Sequence, residues 1–292
     1  MIKYFEPIVI AEVGCNHIGD FNLAKKMIQE AAKCGADYVK FQKRNNKYLL
    51  GGNFDVPHPV PENSYGNTYG KHRDFLEFSI NQHKQLAKYC QKNNIKYSTS
   101  VWEIKSAEEV VKSKIKMDFI KIPSACNLDF ELLKYILCNF KEKIHLSTGM
   151  TKISELKIIL KMFRKYKRLN DLVLYVCTSD YPVKDEDICL LEIKRIKSEY
   201  KLKKHQIGFS GHHLGIAVDL VAYTLGAKFI ERHFTLDRTF KGTDHAASLE
   251  PNGLQNLKRD LISAYMSLKF KTSSGLLKNE MFQRKKLKRI KI

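Results

Sequence analysis

Short apolar runs alternate along this chain with longer stretches whose apolar residues recur at helical spacing. Strand-like runs fall at 7–14, 36–43, 95–102, 118–125, 143–149 and 171–182, then at 207–213 (IGFSGHH) and 227–234 (AKFIERHF). Between them lie helical patterns at 21–34, 82–93, 105–114, 129–139, 152–166, 185–200 and 216–225, and an eighth at 253–270 closes the series. Asp20 supplies an N-cap for the first helix and Gly35 a stop. Eight strands alternating with eight helices predict an α/β chain folded as a single-domain (β/α)8 TIM barrel. A doubly wound open sheet is the competing arrangement, but GCNHIG after Val13 is not the Gly-rich phosphate loop that such a sheet carries. The pattern assigns 1–272 to the barrel and 273–292 to a basic C-terminal tail. One long polar insertion, 44–80, interrupts the alternation, and loops of that length are usually functional or mobile.

With 292 residues, 43% of them hydrophobic, the chain can bury a full core. No apolar run reaches the ~18–20 residues that span a bilayer. The N-terminal residues enter a strand without a signal-peptide pattern, so a cytoplasmic protein is expected. Seven cysteines without a C-x-x-C pair read as reduced, mostly buried thiols, not as a disulfide framework or a zinc site. A net charge of +20 suggests nucleic acid or an anionic substrate, but the lysines are spread over nearly every helix. Only QRKKLKRIKI at the end is a true basic run, and no aromatics interleave with it as nucleic-acid binding would require.

The C-terminal ends of barrel strands carry catalytic groups, and here they are polar where a plain core would show Val, Ile or Leu. Glu12, Asn16, His17, Lys40, Gln42, Thr99, Lys121, Ser124, Ser147, Thr148, Thr178, Tyr181, Ser210, His212, Glu231 and His233 all fall there. Lys40 and Lys121 lie within apolar strands (YVKFQ, FIKIP), and with neighbouring hydroxyls they suit a small, multiply charged anion such as a phosphate ester with a carboxylate. A Schiff-base lysine remains open at this point. His212 and His233 end the seventh and eighth strands, with Asp244 in the segment beyond, a setting for a divalent metal of the Mn2+ or Mg2+ kind. Glu12 is a site carboxylate, with Lys40 and the metal as candidate partners. Cys126 is expected to be inert.

The segments IAEVGCNHIGDFNLAKKMI, GADYVKFQ, STS at 98–100, FIKIPSA, IHLSTGMT, CTSDYP, IGFSGHH and IERHFTLDR…GTDHAASLEP, in that order, resemble the sialic acid synthase (N-acetylneuraminate synthase) family. The resemblance implies condensation of phosphoenolpyruvate with an N-acetylmannosamine-like aldose, giving a nonulosonic acid and phosphate. It implies that Lys40, Thr99, Lys121, Ser124, Ser147 and Ser210 hold phosphoenolpyruvate. It gives His212 and His233 to the metal, and sets Glu12, Gln42, Tyr181 and Asp244 toward the sugar and the reacting centre. Three features depart from the family. Cys126 stands where an acidic residue is common, with Asn127 beside it as a substitute sugar contact, and Gly211 replaces a frequent Asp beside the first metal histidine. The C-terminal antifreeze-like domain is expected to be missing. The arginine which that domain lends to a partner's site must then come from elsewhere or be dispensed with. The implied partners are phosphoenolpyruvate, an amino-sugar aldose and a second copy in a homodimer. Rival expectations are another acceptor, such as a sugar phosphate, and a non-catalytic sugar- or partner-binding relative.

Overall fold

Eight parallel strands close on themselves in sequence order in the computed structural model, which describes residues 4–271 and 275–289. They are β1 (Ile8–Gly14), β2 (Tyr38–Lys43), β3 (Lys96–Val101), β4 (Phe119–Ile122), β5 (Lys143–Ser147), β6 (Leu172–Cys177), β7 (Ile207–Gly211) and β8 (Phe229–His233). β1 pairs with β8 from Ile8↔Phe229 to Glu12↔His233, which completes the barrel. The principal helices between and after them are Phe21–Lys33, Ile80–Lys92, Ile104–Lys112, Phe130–Asn139, Ile153–Lys165, Glu192–Glu199, Ala217–Leu225 and Pro251–Ser267. The expected (β/α)8 fold is therefore the observed one. Asp20 caps the first helix through the backbone N–H groups of Asn22 and Leu23.

Period-two alternation sorts every strand into two faces. Val9, Ala11, Val13, Val39, Phe41, Tyr97, Val101, Ile120, Ile122, Ile144, Leu146, Leu174, Phe209 and Ile230 point outward into the shell between sheet and helices, and all are buried. Each fully buried aliphatic side chain there contributes roughly 1.5–3 kcal/mol. The inward positions change character with height. Ile10, Tyr38, Phe119, Val173, Tyr175 and Phe229 form an apolar floor inside the barrel. His145 stacks on Phe119 at 3.7 Å and bonds the Tyr175 hydroxyl at 2.8 Å, sealing that floor. A side chain at Gly208 would meet the Tyr175 ring at 2.6 Å, so the ring packs against bare backbone there. Above it the inward positions are charged or hydroxylic, which sets a polar chamber on a dry base.

Three local expectations change. The helix expected at 185–200 is a 3₁₀ turn, Asp185–Asp187, followed by the helix Glu192–Glu199. Cys189 between them has φ +52°, a left-handed conformation that an α-helix cannot pass through. The insertion is not a bare loop: it forms the short helices Asn46–Leu50 and Tyr69–Leu76 with 3₁₀ turns Gly51–Asp55 and Pro61–Asn63. The basic tail includes a surface helix, Glu280–Leu287, while the expected boundary at 272/273 lies outside the described residues. Among the described residues no helix is long and apolar enough to cross a membrane.

Candidate active site

At the C-terminal ends of the strands opens a cavity of about 570 Å³. Glu12, Lys40, Gln42, Lys121, Ser124, Ser147, Tyr181, Ser210, His212, His233 and Asp244 all line it. Thr99 does not. It shares the outward phase of Tyr97 and Val101, is fully buried under the helices, and donates to its neighbour's carbonyl at 3.3 Å. The inward hydroxyl of that strand belongs to Ser100, which takes a hydrogen bond from the Lys40 ammonium at 2.9 Å. Asn127 also turns away: its amide donates to the Ser147 carbonyl at 2.9 Å and to the Thr151 hydroxyl at 2.5 Å. Asn16 and Thr178 donate to loop carbonyls, Thr148 donates to the Tyr175 carbonyl of β6, and His17 stacks on Phe78 at 4.0 Å. A larger groove of about 670 Å³ lies at the opposite end of the strands, rimmed by Lys84, Lys88, Lys96 and Lys116, and carries no comparable set of groups.

The chamber's base is a buried quartet of charges. Lys40 pairs with Glu12 and stands 3.9 Å from Glu231, while Lys121 reaches both Glu231 oxygens at 3.3 and 3.2 Å. Gln42 donates to Glu12 at 2.7 Å, and Ser210 to Glu231 at 3.1 Å. Two ammoniums and two carboxylates neutralise one another, which offsets a desolvation cost of several kcal/mol per buried ion. Burial nevertheless pushes the Lys121 ammonium down to about 8, despite Glu231 beside it, and Lys40 pushes the same way. Burial opposes ionisation of Glu231 too, but the attraction of Lys121 and Lys40 prevails and holds its carboxyl below the usual range. Lys121 lies 3.3 Å from the centre of the Tyr175 ring, a cation–π contact that fixes it over the floor. Around this base Ser100, Ser124, Ser147, Ser179 and Ser210 line the cavity. Gly149 lets two of them converge, since a side chain there would stand 2.3 Å from the Ser179 hydroxyl and 2.7 Å from that of Ser124. Hydroxyls and ammoniums in this arrangement can hold a small polyanion.

The rings of His212 and His233 face each other at 5.5 Å, and Tyr181 lies against both, at 4.0 and 5.9 Å. His213 takes the opposite phase and joins the buried Arg232–Asp219 pair behind the strands. The Nδ1–H of His212 donates to the Thr178 carbonyl at 2.8 Å, which leaves its other nitrogen with a free lone pair. Burial, aided by His233, holds His212 down at about 3, so the ring is neutral. His233 Nδ1 is buried without a hydrogen bond and lies 3.6 Å from Asp244 Oδ2. Burial alone would raise the Asp244 carboxyl, but His233 and the Thr243 hydroxyl hold it below the usual range. Two neutral or unpartnered imidazoles beside a carboxylate fit a divalent cation bound chiefly by two protein ligands. Among the described residues no cluster of three or more candidate metal ligands exists.

Sequence reasoning gave no role to Ser100 or Glu231, although the strand phase points both inward. It missed Arg44 and Arg73 entirely, because no periodicity marks where an insertion folds. Cys126 is buried, and desolvation pushes its thiol up to about 12, in keeping with an inert side chain.

Comparison with known proteins is consistent with this geometry. Residues 27–272 match the NeuB family. The chain is 37% identical over 256 residues to an N-acetylneuraminate-9-phosphate synthase of Mus musculus, covering 87% of this chain and 68% of that protein. It is 36% identical over 255 residues to an N,N'-diacetyllegionaminic acid synthase of Campylobacter jejuni, covering 86% and 74% respectively. Among solved structures, an N-acetylneuraminic acid (sialic acid) synthetase from Leptospira borgpetersenii in complex with citrate superposes with a TM-score of 0.79 at 29% identity. That alignment covers 97% of this chain and 93% of the other.

Proposed function

Because this chain belongs to the NeuB family of sialic and other nonulosonic acid synthases, we propose that it condenses phosphoenolpyruvate with an N-acetylmannosamine-like aldose and water, yielding a sialic-type acid and inorganic phosphate. The observation that carries this reading is the neutralised quartet Glu12–Lys40–Glu231–Lys121 beneath a ring of serines, with two imidazoles at its edge. Lys40, Lys121, Ser100, Ser124, Ser147 and Ser210 would take the phosphate and carboxylate of phosphoenolpyruvate. An ammonium has three donors, so each lysine can reach a ligand without releasing its carboxylate. Gln42 and Tyr181 would orient the sugar.

His212 and His233 would hold Mn2+ or Mg2+, which when bound supplies Lewis-acid polarisation of the open-chain aldehyde. The C3 carbon of phosphoenolpyruvate forms the new bond to that carbonyl carbon, and water adds to the electron-poor C2. Collapse of the resulting tetrahedral centre expels phosphate. The lysine–glutamate base compensates charge as it moves from the enol to the phosphate, in a chamber whose floor excludes bulk water. Both Glu12 oxygens are engaged, by Lys40 and Gln42, which makes Asp244 the freer carboxylate to accept the proton of the attacking water.

The lowered ammonium of Lys121 favours one other reading, a Schiff base formed by the free amine. Phosphate release from phosphoenolpyruvate, measured with and without an amino-sugar aldose and a divalent metal, tests the proposal. Release is expected only with both present. Turnover after exhaustive chelation would remove the metal role, and a borohydride-trapped lysine adduct would replace the mechanism with an aldolase one.

A further inference from the structure

β7 and β8 lead to the two imidazoles of the candidate metal site, yet the ladder between these strands stops one residue short of them. Its last rung pairs Gly211 with Arg232, and from His212 onward the chain leaves the sheet. The spacing of His212 and His233 is therefore not set by sheet hydrogen bonds between the two strands. The Arg232 side chain takes over. It leaves β8 on the outer face, opposite in phase to Glu231 and His233, and is fully buried. Its Nη2 donates to the His213 carbonyl at 2.5 Å and its Nη1 to the Gly215 carbonyl at 2.8 Å. One guanidinium thus ties β8 to the segment that follows β7, an added rung where the ladder ends.

The guanidinium is itself held. Asp219, in the first turn of the helix Ala217–Leu225, accepts from Nη1 at 2.5 Å, and Nε2 of the His213 ring lies 3.0 Å from the same nitrogen. A side chain at Gly211 would stand 2.8 Å from the His213 ring, so the bare backbone there is what lets that ring pack against the arginine. A buried ion pair adds little net stability, and an apolar filling of the same space is often as stable. Here Arg232 Nε, Asp219 Oδ1 and His213 Nδ1 are moreover buried without a hydrogen bond. What the charged cluster adds is position.

Resting on the metal reading above, we infer that Arg232 is a positioning residue for the divalent cation. Anchored by Asp219 and His213, it fixes the backbone that carries His212 against the strand that carries His233. Imidazoles fixed before the ion arrives need no ordering on binding, and with two chief protein ligands an error in their spacing is not absorbed by others. A planar fork reaches two carbonyls and a carboxylate at once, which the point charge of a lysine does not. The cluster lies on the outer face of the strands, away from the quartet and the serines, so it acts on the metal half of the site and not on the phosphoenolpyruvate half.

The test is calorimetric titration of the full chain with Mn2+ alone and, separately, with phosphoenolpyruvate in the presence of chelator. Arg232→Met is expected to weaken Mn2+ binding by about 10–100-fold and Arg232→Lys by about ten-fold. Asp219→Asn, which keeps the shape and leaves the guanidinium in place, should weaken it by at least about three-fold. Phosphoenolpyruvate affinity should stay within about two-fold of the parent in all three variants. In turnover, the Mn2+ concentration for half-activation should rise in parallel while KM for phosphoenolpyruvate does not. Circular dichroism at the titration temperature confirms that each variant is folded, and Asp219→Asn decides alone if the Arg232 variants are not. Unchanged Mn2+ affinity in the folded variants would overturn the inference and leave the metal reading intact. So would an equal loss of affinity for both ligands, the mark of a general loosening of the barrel. A parent chain that binds no Mn2+ and turns over in chelator would overturn the metal reading itself and this inference with it.

Discussion

Lys121 gives the account its sharpest kinetic handle. Its ammonium is displaced from 10.5 to about 8, which corresponds to roughly 3 kcal/mol between protonation states. If the protonated amine holds phosphoenolpyruvate, kcat/KM for that substrate follows the free enzyme's ionisation. Activity is then full below about pH 8 and falls as the ammonium is lost, by about ten-fold one pH unit above that value. A bound polyanion favours the charged form, so the limb in kcat should lie at higher pH than the limb in kcat/KM. Lys121→Arg replaces the titrating group with one that stays charged, at a cost in fit against Glu231 and the Tyr175 ring. The variant should be slower by ~10–100-fold, in line with a charged hydrogen bond worth about 1.5–3 kcal/mol, yet flat in kcat/KM to pH 9.5. Initial rates of phosphate release from pH 6.5 to 9.5 measure both profiles, with circular dichroism to confirm that the fold persists. An unchanged alkaline limb in Lys121→Arg, or none in the parent, would refute the reasoning.

Two further outcomes separate close alternatives. Ser100→Ala should raise KM for phosphoenolpyruvate about ten-fold by removing a hydrogen-bond partner of Lys40, whereas Thr99→Val, on the outer face, should leave it within two-fold; steady-state kinetics on the pair decides which hydroxyl serves the site. His233→Ala should abolish both the thermal stabilisation conferred by Mn2+ and metal-dependent turnover. A full shift in melting temperature retained by that variant would place the metal elsewhere.

The barrel was legible because alternation of strand and helix patterns is a long, redundant signal that local errors do not erase. Most of the cavity was legible for a related reason: a charged or hydroxylic residue in an apolar strand, such as Lys40 or Lys121, has few places to go except the inner face near the strand end. Thr99 lies off the cavity because it shares the outward phase of Tyr97 and Val101, a phase that the tripeptide STS does not reveal as a motif and that selects Ser100 instead. Asn127 was misplaced because a residue after the strand has no phase to read, and its amide satisfies Ser147 and Thr151 instead. Arg44 and Arg73 could not be found at all from the pattern. Their positions depend on how the insertion folds against Trp102 and Cys15, contacts far apart in sequence and without periodicity.

In the proposed reaction carbon–carbon bond formation precedes attack of water at C2 and loss of phosphate from that carbon. The most direct measurement uses phosphoenolpyruvate labelled with ¹⁸O in the bridging C2 oxygen, with mass spectrometry of both products. Label is expected in the released phosphate and none in the new keto acid, with no phosphate release when the aldose is omitted. Label retained in the keto acid, or phosphate released without an acceptor, would contradict it.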